Sequence, residues 1–107
     1  MTKAALIPNW QEIVQYGEAG PNPQKIIETN NLRAVIAGLK AGQKIPPHPA
    51  PASVYHFFAG SGQMFVNDQT FAVQAGATVV VPDGATRSIQ AETDLAFMGT
   101  QAAEIAG

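Results

Sequence analysis

GATVVVPDGATRSIQA, residues 76–91, packs a strand, a turn and a second strand into one short stretch. Thr78 to Val81 carries three consecutive valines, whose branched side chains suit a pleated sheet. They predict a nearly continuous buried strand. Pro82-Asp83-Gly84 then breaks it. Proline presets one backbone angle, glycine admits a left-handed one, and aspartate caps its own turn. Arg87 to Ala91 reads as the returning strand.

The same punctuation recurs outward in both directions. Ten Gly and eight Pro interrupt the 107 residues at short intervals, which favours many short strands over long helices. Trp10 to Tyr16 reads as a short helical turn or an irregular edge, and Gly17 to Pro23 as a loop. Ile26 to Thr29 is a strand, Asn30-Asn31 a turn, and Leu32 to Leu39 the next strand. Pro46, Pro47, Pro49 and Pro51 remove four backbone donors within six residues, so this stretch is an extended edge or a bent loop. Val54 to Phe58 is an aromatic-rich strand. Gln63 to Asn67 and Thr70 to Val73 form a hairpin around Asp68-Gln69. Leu95 to Thr100 closes the series, and the Ala-rich tail, Gln101 to Gly107, is expected to fray. This pattern predicts an all-β sandwich or barrel with a short N-terminal segment, built as a single domain over 1–107.

Composition excludes several functions. Six Lys/Arg against eight Asp/Glu form no basic stripe, so no nucleic-acid partner is expected. No cysteine is present, which removes disulfides, thiol nucleophiles and Cys-ligated zinc and agrees with a cytoplasmic setting. Met1 to Tyr16 has no continuous apolar run, so no signal peptide is expected, and no segment is apolar enough to span a bilayer. Charged residues make up only 13% of the chain, below the roughly 25% usual for soluble domains. A surface so poor in charge favours self-association, and a homodimer is the expected state.

Two stretches resemble the paired motifs of the cupin superfamily. In the second motif, Gly76, Pro82, Gly84 and Arg87 fall on the family's spacing without a gap, with Arg87 where the family has a His ligand and Ala91 at the last position. In the first, Gly42 and His48 match from the front, and Gly60 matches from the back and puts Ser53 at the family's Glu position. Read from the front, His48 is the first His and Ala50 replaces the second. Read from the back, His48 is the second His and Pro46 replaces the first. The resemblance covers about Leu32 to Thr100. It implies an antiparallel β-barrel of jelly-roll type, commonly dimeric, with a small molecule or a metal inside. A cupin metal site takes three His and one Glu. Only His48 remains of that set, so no metal and no cofactor is expected.

The candidate ligand-binding residues are His48, Ser53, Tyr55, Phe57 and Arg87. If Ser53 faces the interior, strand alternation turns Tyr55 and Phe57 inward and His56 outward. His48 and His56 then lie on opposite faces and cannot share an ion. His48 is the candidate acid/base or hydrogen-bonding group, or else a satisfied rim residue. Arg87 could fork onto a carboxylate or phosphate of a ligand, or pair with Asp83 or Glu92. Tyr55, Phe57, Met64 and Phe65 supply apolar lining if inward, or plain core. Val54, His56 and Phe58 make the opposite face apolar too, which calls for a cover: a second subunit, or Trp10 and its neighbours. Three functions compete. The first is a metal-free module holding a small organic ligand, an anionic one being admitted by Arg87. The second is a metal-free sugar isomerase or epimerase with His48 as base, weakened because Asp68, Asp83, Glu92 and Asp94 sit in turns. The third is a metal-dependent oxygenase, disfavoured by the missing ligands.

Overall fold

A computed structural model describes residues 3–106. Met1 and Thr2, at the head of the N-terminal reading, and Gly107, at the end of the tail reading, lie outside them. Nine strands follow a single turn of 3-10 helix at Trp10–Glu12. They are β1 (Gln24–Glu28), β2 (Leu32–Leu39), β3 (Lys44–Pro49), β4 (Ser53–Ala59), β5 (Ser61–Val66), β6 (Gln69–Gln74), β7 (Thr78–Val81), β8 (Thr86–Ala91) and β9 (Leu95–Ala102). Five strands form one antiparallel sheet in the order β1-β2-β9-β4-β7, and four form the other in the order β3-β8-β5-β6. The inner faces close a jelly-roll barrel over a core of Leu39, Phe57, Met64, Val81, Ile89, Leu95 and Phe97.

The proline run forms β3, an edge strand paired only with β8, where missing donors cost no ladder bond. Its register slips between Ile45 and His48, across Pro46-Pro47. The glycines that carry the motif spacing, Gly42, Gly60, Gly76 and Gly84, all have positive φ. Gly60 admits no other residue, since a Cβ there would lie 1.9 Å from the Asp94 carbonyl oxygen. Gly84 sits in the turn closed by Ala85 N–H on Pro82 O at 3.2 Å.

Four expectations need correction. Val80 is 74% exposed, because β7 is an edge strand that alternates in and out, with only Val79 and Val81 buried. The β5–β6 turn is Asn67-Asp68, one residue earlier than expected: Val66 pairs with Gln69, and Asn67 takes the left-handed conformation (φ 52°) that asparagine tolerates. That register turns Phe65 outward while Met64 and Val66 fill the core. The tail does not fray at its start. Gln101 and Ala102 belong to β9, Ala103 N–H donates to Asn31 O at 3.1 Å, and Ala106 N–H donates to Asp83 Oδ2 at 3.0 Å.

The outer face of the larger sheet is only half covered. Trp10 stacks on Phe58 with centroids 5.3 Å apart and planes 8° from parallel. Tyr16 lies over Gly38, where a Cβ would come within 2.7 Å of its ring. At the other end, Val54 and Leu32 remain 43% and 38% exposed beside Val80. Among the described residues no helix is long and apolar enough to cross a membrane.

Candidate functional site

Register places the inward side chains in rows. Opposite residues of paired strands share a face, so β2, β9 and β4 present Arg33, Gln101 and Ser53 as one row. Val35, Gly99 and Tyr55 form the next, and Ala37, Phe97 and Phe57 the one after. Gly99 leaves room for the Tyr55 ring: a Cβ there would meet Tyr55 Cε2 at 3.3 Å. The deepest row is solid core. Phe57 is fully buried against Phe97 at 5.7 Å and takes no part in the lining of the chamber above it.

Above that core, between the sheets, is a chamber of about 210 Å³. Val35, Ala37, Ile45, Ile89 and Phe97 line it with apolar surface, and His48, Tyr55, Arg87 and Ser88 bring polar atoms. Pro21 and Pro23, from the loop before β1, border it. A second recess of about 110 Å³ adjoins it and shares Pro23, Val35, Tyr55 and Phe97, adding Arg33 and Gln101. The chamber is smaller than the roughly 300–1,000 Å³ of drug-sized sites, so it suits a compact ligand.

His48 and Arg87 are direct cross-strand partners on β3 and β8. His48 Nδ1 lies 3.0 Å from Pro46 O. A carbonyl oxygen can only accept, so Nδ1–H is the donor of this bond. His56 lies on the opposite face, as alternation requires, with Nδ1 2.8 Å from Thr78 Oγ1 and its ring edge-on to Phe58.

Arg87 is 1% exposed, and its guanidinium is almost fully engaged by the barrel wall. Nε donates to Ala85 O at 3.2 Å, and Nη2 donates to Ala85 O at 2.9 Å and to Ala50 O at 2.7 Å. Nη1 donates to Ser53 Oγ, which itself donates to Pro51 O at 2.7 Å. One Nη1 hydrogen is left over. The pairing with Asp83 or Glu92 weighed from sequence does not form. Asp83 instead accepts from the backbone N–H groups of Ala52 and Ala106. Among the described residues, the ion pairs are Lys25–Glu28, Arg33–Glu28 and Lys40–Glu18, so the buried charge of Arg87 faces no carboxylate.

The site does not fit a metal. Among the described residues, no group of three or more His, Asp or Glu is close enough to hold one. At the family's Glu and His positions, Ser53 and Arg87 bond to each other, so a tethered cation stands where ligands for a free one would converge.

Several lining residues were not singled out from sequence: Val35, Ala37, Ile45, Ile89, Phe97 and Arg33. Alternation along β2 groups Arg33, Val35 and Ala37 on one face, but only the β2–β9 register turns that face toward Tyr55. Pro21 and Pro23 carry no such signal.

No protein-family model matches the chain by sequence, and none of the curated proteins does. Solved structures match it closely in fold. A conserved protein with a double-stranded β-helix domain from Klebsiella pneumoniae superposes with a TM-score of 0.85 at 19% identity, covering 97% of this chain and 95% of that one. The cupin domain of Cnp3 from Schizosaccharomyces pombe gives 0.72 at 20% identity, covering 77% and 64%. Salicylate 1,2-dioxygenase from Pseudoaminobacter salicylatoxidans gives 0.70 at 23% identity, over 77% of this chain and only 26% of that enzyme.

Proposed function

We propose that this chain, which has the double-stranded β-helix fold of the cupins, is a stand-alone binding module that holds a small, anionic organic ligand without a bound metal. The observation that carries the reading is the chamber: mostly apolar walls, with His48 and Arg87 side by side on one of them. His48, held by its Nδ1 on Pro46 O, brings a second polar group to the same wall. The buried Arg87 charge, with no carboxylate beside it, lowers the potential energy of an anion nearby even though most of its N–H groups are already engaged. Metal independence rests on the ligand set, where Ser53 and Arg87 occupy two of the positions that would have to bind the ion.

An isomerase or epimerase reading has less support. Its base would need a carboxylate to orient it, and His48 is oriented by a backbone carbonyl instead. Asp94 accepts from Ala41 N–H at 2.9 Å, and Asp83 is spent on Ala52 and Ala106, so neither serves His48.

The same reading takes the chain as a cytoplasmic homodimer. The uncovered end of the larger sheet, with Val80, Val54 and Leu32 exposed, supports a second copy as its cover.

Elemental mass spectrometry on untagged protein, paired with a thermal-shift screen of small organic acids and sugars, tests the reading. Metal far below stoichiometry, with acid hits that weaken in His48→Ala, is the expected result. A stoichiometric transition metal, or a sugar turned over by wild type and not by His48→Ala, would overturn it.

A further inference from the structure

We propose that the Arg33–Gln101 recess beside the chamber is a carboxylate subsite, so that the ligand is a compact amphiphilic monocarboxylate with its apolar body in the chamber and its charge in the recess. The inference rests on the binding-module reading and adds to it the residue that takes the charge.

Three polar groups with capacity to spare meet there. Arg33 is held only loosely, with Nε 3.9 Å from Glu28 Oε2, while the other oxygen of Glu28 is bonded to Lys25 Nζ at 2.8 Å. Its side chain is 46% exposed and borders the outer recess, so the planar fork is available for a bidentate carboxylate. Gln101 is its direct cross-strand partner on β9 and supplies an amide donor on the same face. The Tyr55 hydroxyl takes part in no hydrogen bond among the described residues and is not a buried orphan, so it opens onto the cavity. Behind these groups the chamber turns apolar at Val35, Ile45, Ile89 and Phe97. Arg87, by contrast, has one N–H left, too few for a bidentate grip. An anionic head is therefore received by Arg33, with Arg87 contributing charge from behind Ser53.

The test is an NMR titration of the full-length, ¹⁵N-labelled chain with benzoate and with benzyl alcohol, two probes of similar shape that differ in charge. Benzoate is expected to shift the amides of Arg33, Tyr55 and Phe97 and to bind about tenfold more tightly than benzyl alcohol, the gain of one charge-assisted contact. Arg33→Gln should remove most of the difference between the probes, leaving at most about twofold from the Arg87 field, without weakening benzyl alcohol, and Arg33→Lys should restore part of it. Equal affinities in the wild type, or a preference for benzoate undiminished in Arg33→Gln, would overturn the subsite and leave the binding module standing. If neither probe shifts a chamber resonance, both readings fall together.

Discussion

Arg87→Met removes the most heavily bonded side chain in the barrel and leaves a hydrophobe of similar length. Three acceptors lose a donor, but not equally. Ala85 O loses both N–H groups that reach it and becomes an orphan, at a cost of about 1–3 kcal/mol. Ala50 O loses Nη2 but keeps the Gly84 N–H at 2.9 Å. Ser53 Oγ loses its donor but keeps its own bond to Pro51 O. Methionine also relieves the desolvation of a buried charge, which offsets part of the loss. The net expectation is a destabilisation of about 2 kcal/mol, a large share of the roughly 5–15 kcal/mol of a typical domain. That corresponds to a drop in Tm of roughly 8–16 °C. Urea unfolding followed by far-ultraviolet circular dichroism measures it directly. The midpoint should fall while the slope stays constant, since the surface exposed on unfolding hardly changes. Arg87→Lys should fall in between, because one ammonium cannot span Ala50, Ala85 and Ser53. A loss under about 1 kcal/mol for Arg87→Met would refute the idea that this guanidinium ties β8 to the start of β4.

Gly60→Ala should cost at least about 2 kcal/mol in urea unfolding, from positive φ plus collision with Asp94 O, whereas Gly42→Ala, with φ +87° and nothing within 4 Å, should cost only about 1 kcal/mol of backbone strain. Burial, with a smaller contribution from Asp94, raises the Tyr16 phenol above its ordinary value. The fold therefore favours the neutral phenol, so this contribution is complete below the ordinary tyrosine range and is lost as pH rises through the raised value. Urea midpoints measured between about pH 9 and pH 11 should fall in the wild type and fall less in Tyr16→Phe. Val80→Lys, on the exposed edge strand, should convert a dimer to a monomer in light scattering without lowering Tm; a dimer that persists would move the interface elsewhere.

Much of the fold was legible because its signals are local. β2 and β7 have the bounds read from their branched residues, and the proline run is an edge strand for the reason its missing donors imply. With Ser53 set inward by the motif resemblance, the set Ser53, Tyr55, Phe57 followed from alternation. The misread hairpin shows where local reasoning ends: Asn67 and Asp68 are both turn formers, and only the strand register decides that Met64 and not Phe65 faces the core. The site was less legible. Histidine and arginine at motif positions were visible, but whether Arg87 reached a ligand, an acid or the backbone depends on carbonyls at Ala50 and Ala85, and sequence carries no mark of a carbonyl's direction. Arg33 could be placed only through a register that joins residues far apart in the chain.

The bond between Ser53 and Arg87 bears on how such a pocket meets its surroundings. A cation that arrives as part of the polypeptide is not drawn from a shared pool. It cannot be stripped by a chelator, exchanged for a competing ion, or carried through a change of oxidation state. On the proposed metal-free reading, a pocket built around it would be complete once the chain has folded, its readiness following synthesis of the protein and not trace-element supply.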